Sequence, residues 1–258
     1  MQIQLTKGVK WILISCFAAF VVQQTSDQFF DGNLLNWFAL VPSGFMIGHR
    51  VWQIITYSFL HADVMHLFLN MLMLAFFAPE LEARWGTPRF LRYYFVCAMG
   101  AGIVYLMMQV FFLSGGGGQA LQTPMVGASG AIYGVLLAYG IIFSERTLAF
   151  MMLFPMKAKH FIWLMALVEL MATVYSSRSP LSGLAHLGGM ATGFVFLWGQ
   201  AVFIVMKKRQ KENQGAGRGQ KPSTKKRSEH LRLIVNKDGR NDPPNDPHDD
   251  SKPPRIWH

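Results

Sequence analysis

Six apolar runs dominate this chain, each near the roughly 20 residues that an α-helix needs to cross a hydrocarbon core. They fall at about 8–23, 61–77, 90–113, 126–143, 161–175 and 184–206. Of the 258 residues 52% are apolar and only 15% charged, too little charge for an ordinary soluble domain. The expected fold is therefore an all-α membrane protein, with residues 1–206 forming one six-transmembrane-helix bundle. The first run also fits a secretory signal peptide, because Lys7 and Lys10 precede a short apolar stretch. No small-x-small cleavage site follows Val22, which favours an uncleaved span. Cys16 and Cys97 both fall inside apolar runs, suggesting neither a disulfide framework nor a metal site, and no cofactor is implied.

The distribution of Lys and Arg sets the expected orientation. Lys7 and Lys10 precede the first span, Arg84, Arg89 and Arg92 lie around the junction of the second and third, and Arg146, Lys157 and Lys159 separate the fourth and fifth. The opposite side carries only Arg50 and Arg178. Both termini are thus expected in the cytoplasm, with the protein in the cell membrane, plasma or inner. Residues 24–60 are aromatic and poorly charged but interrupted by Asp31, Gly32 and Asn33, so they read as an interfacial first external loop. Residues 207–258 carry 14 Lys/Arg against 7 Asp/Glu and are rich in proline, which reads as a disordered, basic cytoplasmic tail. Its runs at Lys207–Arg209 and Lys225–Arg227 suit a solvated flank beside an anionic leaflet better than a specific nucleic-acid site.

Polar residues inside spans are expensive and need a partner or a task. Here they are His61, Asp63, His66 and Asn70 in the second run, Ser129 in the fourth, Glu169 in the fifth and His186 in the sixth. The second, fourth and sixth spans run in one direction, so their N-terminal turns share a depth. They bring a serine, a histidine and a donor pair to that level. His66 and Asn70 are i, i+4 neighbours on one helical face, about 6 Å apart along the axis.

Ser129 lies in Gly127-Ala128-Ser129-Gly130, where small neighbours let a substrate backbone approach and leave N–H groups for an oxyanion. The same residues, with Ala131 and Gly134, also make a small-residue packing face, the simpler reading of that motif alone. His186 lies in Ala185-His186-Leu187-Gly188-Gly189, with Gly193 beyond. It suits a general base or a buried structural histidine equally well. Close approach of the Gly189-x-x-x-Gly193 face to Gly130-x-x-x-Gly134 would bring Ser129 and His186 within reach. His66 and Asn70 are the side-chain donors available to an oxyanion, or else helix-to-helix bonds fixing the second span. No Asp or Glu lies near His186 in sequence, so a Ser–His dyad without a required carboxylate is expected. Glu169 is expected to be a buried carboxyl bonded within the bundle.

The ordered set His66-x-x-x-Asn70, Gly127-x-Ser129-Gly130 and Ala185-His186-x-x-Gly189-x-x-x-Gly193 resembles the rhomboid intramembrane proteases over about residues 45–205. The resemblance implies Ser129 as nucleophile, His186 as base, and His66, Asn70 and the Ser129 N–H as the oxyanion site. Tyr133 resembles the family tyrosine that packs on the catalytic imidazole. Glu82 and Arg84 resemble a structural feature at the end of the second span, and Pro155-x-Lys157-Ala158-Lys159 resembles many bacterial relatives. The Trp-Arg pair found in the first external loop of some relatives is absent. The family implies single-span membrane proteins as substrates, cut near their outer membrane boundary; the oligomeric state is left open.

Three rivals are weaker. A catalytically silent rhomboid-like client-binding protein typically lacks the serine or histidine, and both are here. A transporter using Glu169, His66 and His186 gives no reason for the glycine-flanked serine and shows no duplicated, interrupted helices. A zinc protease would need a His-Glu-x-x-His helix, and His61 and His66 share a helical face poorly.

Overall fold

The computed structural model describes residues 4–29, 33–116, 120–150, 154–175 and 180–217. It divides into two units, Met1–Arg209 and Gln210–His258. The first is a helical bundle built from α1 (Lys7–Phe29), α5 (Val64–Trp85), α6 (Thr87–Gly116), α7 (Ser129–Ile142), α8 (Ala158–Tyr175) and, as far as Arg209, α9 (Pro180–Gly217). Between α1 and α5 run the short helices α2 (Leu34–Phe38), α3 (Pro42–Met46) and α4 (Gln53–Thr56) and a 3-10 turn at Tyr57–Phe59.

Among the described residues, α1, α5, α6, α8 and α9 are long and apolar enough to cross a membrane. The sixth expected span is the shorter α7, of 14 residues. A helix enclosed by its neighbours does not need to span the hydrocarbon layer, because protein rather than lipid meets its ends. Nine α7 residues from Gly130 to Gly140 are buried. By contrast Trp11 and Phe17 of α1, Phe68 of α5, Trp163 of α8 and Phe194 and Phe203 of α9 are exposed. Large apolar side chains exposed on four of the helices are what a lipid solvent permits and water does not. The chain is a multi-pass membrane protein.

Two junctions fix the frame. Glu82, 3% exposed, receives hydrogen bonds from Gly8 N (2.8 Å), Val9 N (2.9 Å), Thr87 Oγ1 (2.5 Å) and Thr6 Oγ1. Its carboxylate thereby caps the N-terminus of α1, whose first amides lack intrahelical partners and whose dipole favours an anion. Gly86 then turns the chain from α5 into α6 at φ +79°, a conformation that suits glycine, with its N–H bonded to Glu82 O at 2.7 Å.

The interfacial first loop is held by aromatic and backbone contacts. The Arg50 guanidinium lies over the Trp37 ring at 4.4 Å and donates to Asn36 O at 2.7 Å, while Trp52 stacks on Trp37 with centroids 6.3 Å apart. Arg50 and Trp37 thus form in space a Trp–Arg pair that is not adjacent in sequence. Leu40 and Met125 exchange backbone hydrogen bonds at 3.0 Å in both directions, tying this loop to the segment that leads into α7.

The all-α expectation misses one detail between α7 and α8. Strands β1 (Thr147–Phe150) and β2 (Phe154–Lys157) pair antiparallel, Thr147 opposite Lys157. Runs this short carry no periodicity that separates strand from loop. Beside them Glu145 pairs with Lys157 (2.6 Å) and Lys159, and the two ammonium groups hold its carboxyl down at about 2. At the other end of the chain α9 continues beyond Met206 to Gly217. Lys207, Lys208, Arg209, Gln210, Lys211 and Glu212 all favour helix, and the next proline is Pro222. Arg178 and the expected tail from residue 218 onward lie outside the described residues.

Candidate active site

Ser129 does not lie a few residues inside its helix, as the continuous apolar run suggested; it is the first residue of α7. The preceding chain is bound elsewhere: Gly127 N donates to Tyr57 O at 3.0 Å, and the Tyr57 hydroxyl donates to Ala98 O at 2.7 Å. Gly127 takes φ +117°, open to glycine but strained for other residues. The Ser129 N–H is consequently among the first-turn amides that have no intrahelical acceptor.

His186 sits on the second turn of α9, and its Nε2 lies 2.7 Å from Ser129 Oγ. These side chains, 57 positions apart in sequence, meet because α7 and α9 approach backbone to backbone. A Cβ placed on Gly189 would run into the Gly130 carbonyl, and one on Gly134 would stand 3.2 Å from Gly189 O. Gly193 departs from the expected pairing: it faces Tyr93 and Cys97 of α6. Tyr93 in turn donates to Gly134 O at 2.6 Å, locking α6 to α7 behind the serine.

Tyr133, one turn after Ser129, stacks on His186 with centroids 4.4 Å apart and planes inclined by 13°. The Tyr133 hydroxyl donates to Glu169 Oε1. Glu169 Oε2 lies 3.0 Å from His186 Nδ1, with the two side chains 12% and 19% exposed. The separation is that of an ion pair, but the angle falls outside hydrogen-bond geometry, and Nδ1 has no hydrogen-bond partner among the described residues. Sequence adjacency gave no hint of this carboxylate beside the imidazole. The available signal was an ionisable residue inside a span, which calls for a partner.

His66 lies in the first turn of α5, because the helix begins only at Val64, three residues inside the apolar run at 61–77. Asp63 is its N-cap, accepting from His66 N at 2.8 Å, so His61 and Asp63 precede the helix they were assigned to. The capping bond uses Asp63 Oδ1, and His61 meets His66 edge to face at 5.2 Å between centroids. A Cβ on Gly127 would stand 2.7 Å from His66 Cε1, 2.8 Å from Nε2 and 3.7 Å from Ser129 Oγ. The bare glycine is what lets the His66 ring stand beside the serine. Ala62 N donates to His66 Nδ1 at 3.4 Å, which puts the proton of the neutral ring on Nε2, the nitrogen near Gly127. Asn70 is buried one turn deeper and donates through Nδ2 to His66 O at 2.8 Å.

The fold and this cluster define a polytopic helical membrane protein with a serine–imidazole pair held where three helix N-termini converge. Residues 48–202 match the family model of the Rhomboid domain, and the chain belongs to the rhomboid family. It is 27% identical over 191 residues to the mitochondrial RHOMBOID-like protein 12 of Arabidopsis thaliana, across 71% of this chain and 55% of that protein. It is 28% identical over 134 residues to Rhomboid-like protease 3 of Toxoplasma gondii, across 50% and 46% of the two chains. It is 30% identical over 167 residues to the mitochondrial Rhomboid protein 1 of Saccharomyces cerevisiae, across 64% and 46%. The chain spans about half the length of these curated relatives.

Proposed function

We propose that this protein is an intramembrane serine endopeptidase that cuts single-span membrane proteins, with Ser129 as nucleophile and His186 as general base. The observation that carries the proposal is the 2.7 Å separation of Ser129 Oγ and His186 Nε2 inside a membrane bundle. A serine hydroxyl is a weak nucleophile until an adjacent base takes its proton, and this distance permits the transfer directly. Membership of the rhomboid family and the name of the Toxoplasma relative support the same chemistry.

The steps follow from the positions of the groups. His186 Nε2 accepts the Ser129 proton as Oγ attacks the scissile carbonyl carbon, and the resulting imidazolium returns that proton to the leaving amine. The developing oxyanion faces the Ser129 N–H at the start of α7 and the Nε2–H of His66. Asn70 has a second amide hydrogen beyond the one given to His66 O, and a rotation would offer it to the same oxygen. Each such donor is worth about 3 kcal/mol of transition-state stabilisation. Water then hydrolyses the acyl-enzyme. The polar rim of Ser129, His66 and His186 gives that water a path without exposing polar backbone to lipid.

The distribution of basic residues supports an orientation with both termini in the cytoplasm of the cell membrane. Arg84, Arg89, Arg92, Arg146, Lys157 and Lys159 border the end of α5, the start of α6, the end of α7 and the start of α8, opposite the end that holds the site. The excess of Lys and Arg in residues 207–258 suits a basic segment beside the anionic leaflet.

The test is cleavage of a single-span reporter by the purified protein in detergent, comparing wild type with Ser129→Ala and His186→Ala. The proposal expects product from wild type alone, cut near one membrane boundary. Equal behaviour of all three would turn the assignment toward a rhomboid-like protein that binds clients without cutting them.

A further inference from the structure

Glu169 has no role in the steps above, yet it lies against the Nδ1 edge of the catalytic imidazole. We infer that Glu169 is a positioning residue that, through Tyr133 and His186 together, sets the orientation of the base and stabilises its protonated form. This inference rests on the endopeptidase reading. Its two carboxylate oxygens are divided between the two partners. Oε1 accepts from the Tyr133 hydroxyl and Oε2 lies 3.0 Å from His186 Nδ1. The Tyr133 ring covers the imidazole face at 4.4 Å. One carboxylate therefore fixes the imidazole at its edge directly and on its face through the tyrosine.

The packing around Glu169 keeps that arrangement from being replaced by water. Its side chain is 12% exposed, and Nδ1 of His186 is buried, with no hydrogen-bond partner among the described residues and Glu169 Oε2 3.0 Å away. Gly183 of α9 faces Glu169: a Cβ there would stand 2.8 Å from the Glu169 carbonyl oxygen and 3.4 Å from Oε2. A glycine at that position is what allows α8 and α9 to close on the carboxylate.

The proton inventory gives the carboxylate its use. With Nε2 accepting from Ser129, the neutral imidazole carries its hydrogen on Nδ1, directed to the Glu169 side. When Nε2 takes the serine proton, the ring becomes a cation next to an anion in a weakly solvated site, where the attraction is stronger than in water. Glu169 keeps its charge throughout, and the proton passes only from Ser129 Oγ to His186 Nε2 to the leaving amine. The resting angle lies outside hydrogen-bond geometry, as catalytic contacts often do before substrate binds, and a small rotation of the ring would complete the bond.

The experiment measures kcat and KM separately on a single-span reporter, with thermal unfolding in parallel, for wild type, Glu169→Gln and Glu169→Asp. Glutamine keeps the size and can still accept from Tyr133, but lacks the charge. The expected result is a kcat lowered roughly tenfold to a hundredfold, below the roughly hundredfold to ten-thousandfold that the base itself supplies, with KM and the unfolding midpoint close to wild type. Aspartate, which restores the charge, recovers part of kcat. A glutamine variant with wild-type kcat overturns the inference. So do two variants that lose kcat equally and in step with their unfolding midpoints, the pattern of a packing residue. Should the glutamine variant not fold, Tyr133→Phe takes its place: a kcat loss of about threefold to tenfold, the worth of one hydrogen bond, supports the inference and an unchanged kcat overturns it. If wild type itself does not cut, the endopeptidase reading falls and this inference falls with it. If wild type and Glu169→Gln cut alike, only this inference falls.

Discussion

Gly189 of α9 packs against the backbone of Gly130 in α7 so closely that a Cβ at position 189 would come within 2.8 Å of the Gly130 carbonyl carbon and closer still to its oxygen. Because the obstacle is backbone, it cannot yield by changing rotamer. Gly189→Ala is expected to push α9 away from α7, at about 1–3 kcal/mol as for other overpacked sites. Reporter cleavage should fall at least as steeply as stability, since the same displacement separates His186 from Ser129. Unfolding midpoint and cleavage rate of the variant, measured side by side, check this.

Gly127 supports a sharper separation of the two readouts. An alanine there would be strained at φ +117° and would meet the His66 ring at 2.7 Å. The ring would have to leave the place it occupies beside Ser129. Gly127→Ala is expected to lose roughly a hundredfold in kcat, the scale of one missing oxyanion donor, while far-ultraviolet circular dichroism shows the helices intact.

Glu82 makes the opposite prediction. Four donors converge on its carboxylate at the junction of α1, α5 and α6, and none of them belongs to the serine–histidine cluster. Glu82→Ala is expected to destabilise the bundle by about 1.5–3 kcal/mol, the range for hydrogen bonds to a charged group. The protein that remains folded should cut at close to the wild-type rate. Activity normalised to the folded fraction is the measurement.

What could be read from sequence follows the cost of burying polar groups. Ser129, His66 and His186 stood out because each is polar within an apolar run, and the glycines at 130, 134 and 189 announced a close approach of two helices. Where α7 begins was not readable, because residues 126–143 are apolar or small apart from Ser129 itself, and only the backbone conformation of Gly127 and its bond to Tyr57 set the start of the helix at Ser129. Glu169 was visible as an ionisable residue in a span, but its partner lies 17 positions away on another helix. Arg50 and Trp37 escaped for the same reason, being 13 positions apart and brought together by the turns of the first loop. In each case the missing information was the approach of distant segments, which local pattern does not encode.

Activation of Ser129 by His186 is read out by covalent labelling with a fluorophosphonate, a probe that reacts with activated serine hydroxyls. Intact-mass and peptide mapping after labelling should place one adduct on Ser129 in the wild type, none in Ser129→Ala, and a labelling rate lowered at least a hundredfold in His186→Ala, the loss expected when a general base is removed. Labelling of His186→Ala at the wild-type rate, or an adduct on another serine, would contradict the account.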